Sequence, residues 1–417
     1  MSKNNKDFFK KKKAWSEIKD VLLGWYIKPY FQKLLSSGKP ILYVDCFAGK
    51  GRFEDGKPGS PIIALEARKE CLENTKSTNA RIDAYFIDLN YYEDLVVNLA
   101  TFKEVDWKPN IVSGRYEDQI VNILENRRNV NVFLYIDPYG IQALDTNLFN
   151  KFDACAFRSF EMLINFNSFG FIREGCRALK VDYTLDNALM DMDDLVEFSP
   201  MRLDSTQESI ELLNRIADGN YWQDIIHDFQ NGLIDGYKAE ERFSEQYKQQ
   251  LKKRYTYVLD MPIQIKKTNH PKYRMIHVCN HEEGCLLMAD NMLKRKDELV
   301  VNIQQHGQMT IFDWMESVNT TTAGDTITQE AVKEKVKEHI QRYKRDVRLN
   351  KLTADFYTCY GLYGYKKMIN DALIELEKDG DVLICRNPSF SVKYNKPLTY
   401  MTDEKDHTVS IRRLKDA

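Results

Sequence analysis

One stretch constrains the fold more than any other: Ile41-Leu42-Tyr43-Val44-Asp45-Cys46-Phe47-Ala48-Gly49-Lys50-Gly51. Ile41 to Val44 are apolar or β-branched, as a strand buried on both faces requires. Lys39-Pro40 just ahead is a breaker, so the run is too short for a helix and predicts a central parallel strand. That strand runs into a turn with two glycines one residue apart. Gly49 and Gly51 let the chain turn sharply at the strand's carboxyl end and approach a ligand with no Cβ in the way. A GxG alone is a weak signal. The full Asp-x-Phe-Ala-Gly-x-Gly context, together with the later part of the chain, carries more.

Further strand-like runs come at Ile82 to Ile87, ending at Asp88, and at Asn110 to Val112, ending at Ser113-Gly114. Two more are Asn131 to Ile136, ending at Asp137-Pro138-Tyr139-Gly140, and Phe160 to Phe166, ending at Asn167. Helical patterns alternate with them at Tyr92 to Thr101, Asp118 to Asn126 and Asp145 to Phe152. After the glycines, a polar loop ends at Gly59-Ser60-Pro61, where Ser60 suits an N-cap and Pro61 the first helical turn. Strand–helix alternation of this kind predicts a doubly wound, parallel α/β sheet, which binds ligands beyond the carboxyl ends of its strands. Asp45, Asp88, Gly114 and Asp137 all fall at those ends, which marks this half as a binding or catalytic domain.

The remaining segments fit around that sheet. Lys10 to Lys13 reads as a solvated arm or a phosphate contact ahead of an amphipathic helix over 14–35. Trp15, Ile18, Val21, Leu22, Trp25 and Phe31 give that helix its apolar face. Residues 173–254 read as a helical insertion, with Trp222, Ile225, Ile226 and Phe229 on one face. Tyr255 to Ile265 and Tyr273 to Cys279 come next as an antiparallel hairpin turning at Thr268 to Pro271, and a short helix at Leu286 to Leu293 closes the domain. Small polar residues at 318–325 make a linker. A capping box at Thr326 to Gln329 then opens a long helix to about Leu349. Helices at Thr353 to Tyr360 and Tyr365 to Lys378 come after it, then strands at Val382 to Arg386 and Ser391 to Tyr394 about a turn at Asn387-Pro388. That is the layout of a winged helix. The expected domains are therefore residues 1–317 and 326–417.

Composition narrows the function classes. At 417 residues the chain exceeds one ordinary core. A net charge of −2 gives no global attraction to nucleic acid, while 43 % hydrophobic and 12 % aromatic residues exclude general disorder. No apolar run approaches the roughly 18 residues of a membrane span, and residues 1–13 lack the apolar core of a secretory signal. Eight scattered cysteines, among them Cys155, Cys359 and Cys385 in apolar runs, fit packed, reduced thiols and predict a cytoplasmic protein. His277, Cys279, His281 and Cys285 are metal-ligand types with strand alternation. Asn280 to Gly284 reads as a plain turn after a core strand, and no metal site is expected.

Asp45-Cys46-Phe47-Ala48-Gly49-Lys50-Gly51, Gly59-Ser60-Pro61 and Ile136-Asp137-Pro138-Tyr139-Gly140 together resemble the three-Cys-motif partner protein (TcmP) family. The likeness extends through Tyr273-Arg274-Met275-Ile276 and the Asn280-His281 to Gly284 turn, so it spans roughly residues 10–315. The tail resembles the winged-helix-like domain at the end of some members. The resemblance implies a Rossmann-like class I methyltransferase sheet that binds S-adenosylmethionine (SAM). It also implies an association with a radical-SAM-like three-Cys-motif protein. Asp137-Pro138-Tyr139-Gly140 is similar to the Asp-Pro-Phe-Gly of tRNA guanine N2-methyltransferases and, more loosely, to the Asp-Pro-Pro-Tyr of DNA amino-methyltransferases.

On that resemblance Asp45, Phe47, Gly49, Gly51, Asp88 and Gly114 are cofactor-binding candidates. Asp45 orients the loop or accepts from the cofactor's ammonium, and Asp88 accepts from both ribose hydroxyls. Related proteins carry an Asp after the third-strand glycine; here that position is Arg115, leaving Glu117 or Asp118 for adenine. Asp137, Pro138 and Tyr139 are the catalytic candidates. Asp137 holds a hydrogen of an exocyclic amine, Pro138 fixes the carbonyl nearby, and Tyr139 stacks on the base, a contact worth about 1–3 kcal/mol. The rate gain then comes mainly from alignment, and a base within a duplex, in DNA or RNA, has to flip out. The expectation is a SAM-dependent methyltransferase acting on a base amine. The alternative is a non-catalytic SAM- or nucleotide-binding partner subunit.

Overall fold

A computed structural model describes residues 9–12, 14–76, 81–125, 127–138, 140–190, 205–263, 273–306, 327–391 and 393–414. The chain divides into two compact units, Met1–Asn280 and His281–Ala417. The linker expected at 318–325, the turn expected at Thr268 to Pro271, and Tyr139 lie outside the described residues.

In the first unit α1 (Ala14–Leu35) precedes β1 (Ile41–Asp45), α2 (Ser60–Glu73), β2 (Ile82–Asp88), α3 (Tyr92–Leu99) and β3 (Asn110–Ser113). Then come α4 (Tyr116–Leu124), β4 (Asn131–Ile136), α5 (Thr146–Asp153), β5 (Ser159–Phe166) and α6 (Ser168–Ala178). The unit closes with α7 (Thr206–Ala217), α8 (Tyr221–Gln230), α9 (Gly236–Lys252), β6 (Tyr257–Ile263) and β7 (Tyr273–Cys279). One seven-stranded sheet has the order β3-β2-β1-β4-β5-β7-β6. β1 to β5 are mutually parallel, and β7 runs antiparallel between β5 and β6. This is the Rossmann-like sheet expected of a class I methyltransferase fold, with the hairpin strands at one edge.

Strand alternation decides what each face carries. Leu42, Val44, Val132, Leu134, Ile136, Met162 and Ile164 enter the core cluster with residues of α4 to α9. The intervening Tyr43, Phe133 and Glu161 face α1: Tyr26 and Tyr30 lie 5.6 and 5.4 Å from the Phe133 ring, and the Tyr26 hydroxyl donates to Glu161. The buried stripe of α1 therefore runs through Ile18, Leu22, Leu23, Tyr26, Ile27, Tyr30 and Phe31. This corrects the expected face, because Trp25 is 64 % exposed and Val21 also faces outward. Of the two inner tyrosines, Tyr26 has its hydroxyl bonded to the sheet through Glu161, while the Tyr30 hydroxyl is buried with no hydrogen-bond partner.

Ser60 is not the N-cap. Gly59 holds that position with no side-chain cap, and Ser60 is the first helical residue. The thiols are less uniformly packed than expected: all eight cysteines are free, Cys359 is exposed, and Cys155 and Cys385 are half-buried. His277 bonds Glu161 at 3.1 Å, and among the described residues no three metal-ligating side chains come together. None of the described helices is long and apolar enough to cross a membrane.

The second unit begins with α10 (Glu282–His306), far longer than the short helix expected there. It continues with α11 (Gln329–Ile340), β8 (Val347–Arg348), α12 (Leu349–Tyr360), α13 (Lys366–Lys378) and β9 (Val382–Asn387). A small hairpin of β10 (Phe390–Ser391) and β11 (Lys396–Pro397) leads to β12 (Thr408–Arg413). The N-cap of α11 is Thr328, and the helix ends nine residues short of Leu349 because Val347 and Arg348 pair with β12. The partner of β9 is β12, not Ser391 to Tyr394, and the sheet order is β8-β12-β9. Burial explains the choice: Val409 and Ile411 are buried, whereas Phe390 and Tyr394 are exposed.

Candidate functional site

The strand order reverses between β1 and β4, which leave the sheet centre in opposite directions of winding. A crevice opens at such a reversal beyond the carboxyl ends of the strands. Asp45 ends β1, and Asp137 comes directly after the last residue of β4. The two strands are held in register from Ile41↔Asn131 to Asp45↔Tyr135, and the Cys46 N–H extends the ladder to the Tyr135 carbonyl at 2.9 Å.

The glycine turn is built as the sequence requires. Gly49 and Gly51 have φ of +59° and +76°, the left-handed region that disfavours any Cβ. Asp88 pins the turn to the end of β2. Its Oδ2 accepts the Gly49 N–H at 2.9 Å, and its Oδ1 accepts the N–H groups of Asn90 and Tyr91 at 2.8 and 2.7 Å. Three of the roughly four lone-pair sites of the carboxylate are thereby engaged. One remains for an outside donor, where two ribose hydroxyls were expected.

Asp45 is fully buried at the carboxyl end of β1. Its Oδ1 accepts the Phe47 N–H at 3.3 Å, and its Oδ2 has no hydrogen-bond partner. Burial pushes its carboxyl up to about 7; the nearby Ser60 hydroxyl and the Phe47 N–H pull the other way, and the charges of Asp137 and Asp20 add to the rise. A buried carboxylate oxygen lacking a donor suits a cationic group such as an ammonium.

Of the three carboxylates at the strand ends, Asp137 is the most heavily engaged. Lys19 Nζ from α1 reaches both of its oxygens, at 2.8 and 2.7 Å. Asn165 Nδ2 from β5 donates to Oδ1 at 2.7 Å, and the Tyr135 hydroxyl approaches Oδ2 at 3.4 Å. Lys19 also lies 5.8 Å from the ring centroid of Tyr273 on β7. One residue on, Asp20 pairs with Lys12 at 2.5 Å; burial raises its carboxyl to about 6 against the pull of Lys12 and Lys19. The charge of Asp137 helps to raise the carboxyls of both Asp20 and Asp45, and that of Asp20 adds to the rise at Asp45, so these side chains form one electrostatic group.

Of the other predicted residues, Phe47 is half-buried, its ring 5.3 Å from that of Tyr116. Gly114, with φ of +139°, donates its N–H to the Asp88 carbonyl at 3.1 Å. Pro138 is half-buried beside Asp137. Arg115 is the N-cap residue of α4 and lies 3.7 Å from Glu117, which stands with Asp118 in the first turn of that helix.

Sequence reasoning missed Lys19, Asp20 and Asn165, and it placed Lys12 in a solvated arm or a phosphate contact, whereas Lys12 is buried and paired with Asp20. It also missed Phe9, a buried ring packed 4.8 Å from Tyr91 and 5.6 Å from Phe53, against which a Cβ on Gly49 would come within 3.1 Å. The segment carrying Phe9 is tied down by its carbonyl, which accepts the Glu54 N–H, and by Lys12, whose N–H meets Asp55 and whose Nζ meets the Pro58 carbonyl.

No family model and no curated protein sequence matches this chain. Solved structures similar to it include the O-methyltransferase TomG from Streptomyces achromogenes, in complex with SAM. That match has 12 % identity and a TM-score of 0.28, and covers 66 % of this chain and 94 % of that one. Another is the plantazolicin methyltransferase BamL in complex with a triazolic desmethylPZN analog and SAH, with 9 % identity and a TM-score of 0.26, covering 65 % of this chain and 86 % of that one. Likenesses this distant carry no weight for chemistry or substrate; the strand order and the crevice residues carry the functional reading instead.

Proposed function

We propose that the first unit is a SAM-dependent methyltransferase acting on an exocyclic amine of a nucleic-acid base, and that the second is a winged helix presenting the nucleic acid. The observation that carries this reading is the placement of Asp45 and Asp137 on the two sides of the reversal between β1 and β4. The resemblance of their motifs to SAM-binding and amine-methylating sequences supports it, as does the pinned glycine turn. The order helix, strand, helix, helix, strand, strand supports the winged-helix reading. So does the exposed Tyr394, with Lys393 5.1 Å from its ring centroid.

The bound SAM would supply an electrophilic methyl group. Asp45 Oδ2 would hold its ammonium, the turn at Gly49 and Gly51 would admit its amino-acid end, and the open site on Asp88 would take one ribose hydroxyl. Asp137 then holds a hydrogen of the target amine so that the nitrogen lone pair is freed from the ring and aimed at the methyl group. The long Tyr135 contact on Oδ2 is the one most readily displaced. Alignment dominates such a reaction, and no strong base is needed.

Calorimetry tests the cofactor: SAM binds the wild-type chain and fails to bind Asp88→Ala. Mass spectrometry of nucleosides tests the reaction: a methylated base is present in cells with the wild-type protein and lost with Asp137→Ala. The engagement of Asp137 by Lys19 and Asn165 favours a second reading, a non-catalytic SAM-binding partner of a radical-SAM-like three-Cys-motif protein. That reading predicts SAM binding with no methylated product.

A further inference from the structure

Asn165 stands on the same sheet face as Asp137 and is 4 % exposed. Its amide orientation is fixed by chemistry. Nδ2 lies 2.7 Å from Asp137 Oδ1, and a carboxylate oxygen can only accept there, so the side-chain oxygen must point the other way. That oxygen, Oδ1, is buried and has no hydrogen-bond partner. Its register partner on β7 is Met275, whose side chain offers no donor. The sheet thus holds a rigid acceptor without a donor, bonded through its own amide to the carboxylate that is read as the amine-binding group.

We propose that Asn165 Oδ1 is the second acceptor of the substrate amine and restricts the enzyme to primary amines and to a single methylation. The inference rests on the base-amine reading of Asp137. The exocyclic amines of adenine, cytosine and guanine carry two hydrogens. One goes to Asp137 and the other to Asn165 Oδ1, which leaves the lone pair directed at the donor. In the transfer that lone pair forms the new N–C bond as the donor's C–S bond breaks. The sulfonium becomes a neutral thioether, and one amine proton leaves to water. The product nitrogen keeps one hydrogen and cannot satisfy both acceptors. A second round would bury an unpaired oxygen against a methyl group, which the site disfavours.

The test uses the full chain with S-adenosylhomocysteine present and three probes, adenosine, cytidine and guanosine. Each is titrated beside its N-monomethyl and N,N-dimethyl forms. The expected result is that at least one unmodified nucleoside binds and that its N-monomethyl form binds at least about tenfold more weakly, the N,N-dimethyl form, which leaves Asp137 unpaired as well, binding more weakly still. In Asn165→Leu that preference shrinks to about twofold or less. The wild-type comparison needs no variant to fold. An N-monomethyl form that binds wild type as well as its parent overturns the inference alone, as does an Asn165→Leu protein with undiminished preference. Absence of binding by all three unmodified nucleosides overturns it together with the base-amine reading.

Discussion

Lys19 Nζ bridges both carboxylate oxygens of Asp137, at 2.8 and 2.7 Å, joining the first helix to the tip of the fourth strand. The lysine side chain is 9 % exposed and the aspartate 23 %. An ion pair so placed costs more to break on one side than to delete on both.

Lys19→Met and Asp137→Leu are each expected to lose about 2–3 kcal/mol, because each strands a largely buried charge. The double variant should lose less than the sum, with a coupling of about 1–2 kcal/mol. Urea unfolding midpoints of the four proteins measure this. Additive losses would mean that the contact carries no energy.

Asp45 makes stability depend on pH. Its carboxyl is raised to about 7 in the fold from an ordinary value of 3.8, so between those values the folded chain holds a proton that the unfolded chain has released. Stability therefore falls as pH rises from about 4 to about 7, and the whole penalty is present above that. Asp45→Asn is expected to be more stable than wild type at pH 8, by up to about 4 kcal/mol, and no more stable at pH 3.5. Thermal melts across that range check the sign.

The same proton links to ligand binding. A cationic group on Asp45 Oδ2 needs the ionised carboxylate, so SAM affinity should rise between pH 6 and pH 8 and binding should release a proton. Calorimetry in buffers of different ionisation enthalpy reads the release directly. Asp45→Asn should abolish it.

Two glycines of one loop separate backbone strain from crowding. Gly51 has φ of +76°, and a Cβ there would lie 3.0 Å from Leu95 Cδ1; Gly56 has φ of +83° and open space around it. Gly56→Ala should cost about 1 kcal/mol, and Gly51→Ala about 2 kcal/mol or more. Only the second should weaken SAM binding, by more than about tenfold, because only it alters the turn pinned by Asp88.

In the second unit Asp403 is buried and ties three segments together. It accepts from Arg348 Nε at 2.9 and 3.1 Å and from the N–H groups of Asn350 and Val409, both at 3.3 Å. Asp403→Ala is expected to cost about 3 kcal/mol. Denaturation monitored through signals of that unit should show an earlier transition.

The acidic strand tips were legible because each one ends a short apolar run, and that pattern is local. The polar groups that engage them were not, because their positions depend on a helix lying across the sheet. A signal was present nonetheless. Lys19 stands four, seven and eleven residues before Leu23, Tyr26 and Tyr30, at the head of the stripe that is buried. Asn165 and Glu161 interrupt an otherwise apolar strand on one face. The early end of α11 had no such sign. No glycine or proline marks it, and the chain leaves the helix to pair with a strand more than sixty residues further on.

The Lys19 contact spans 118 residues of sequence. As the chain is made, the first helix emerges with its lysine and waits until both β4 and β5 have emerged before the charge finds its partners. Newly made chains should therefore acquire the cluster of Lys19, Asp137 and Asn165 well after the glycine turn and β2 have met, though before β7 can pair with β5.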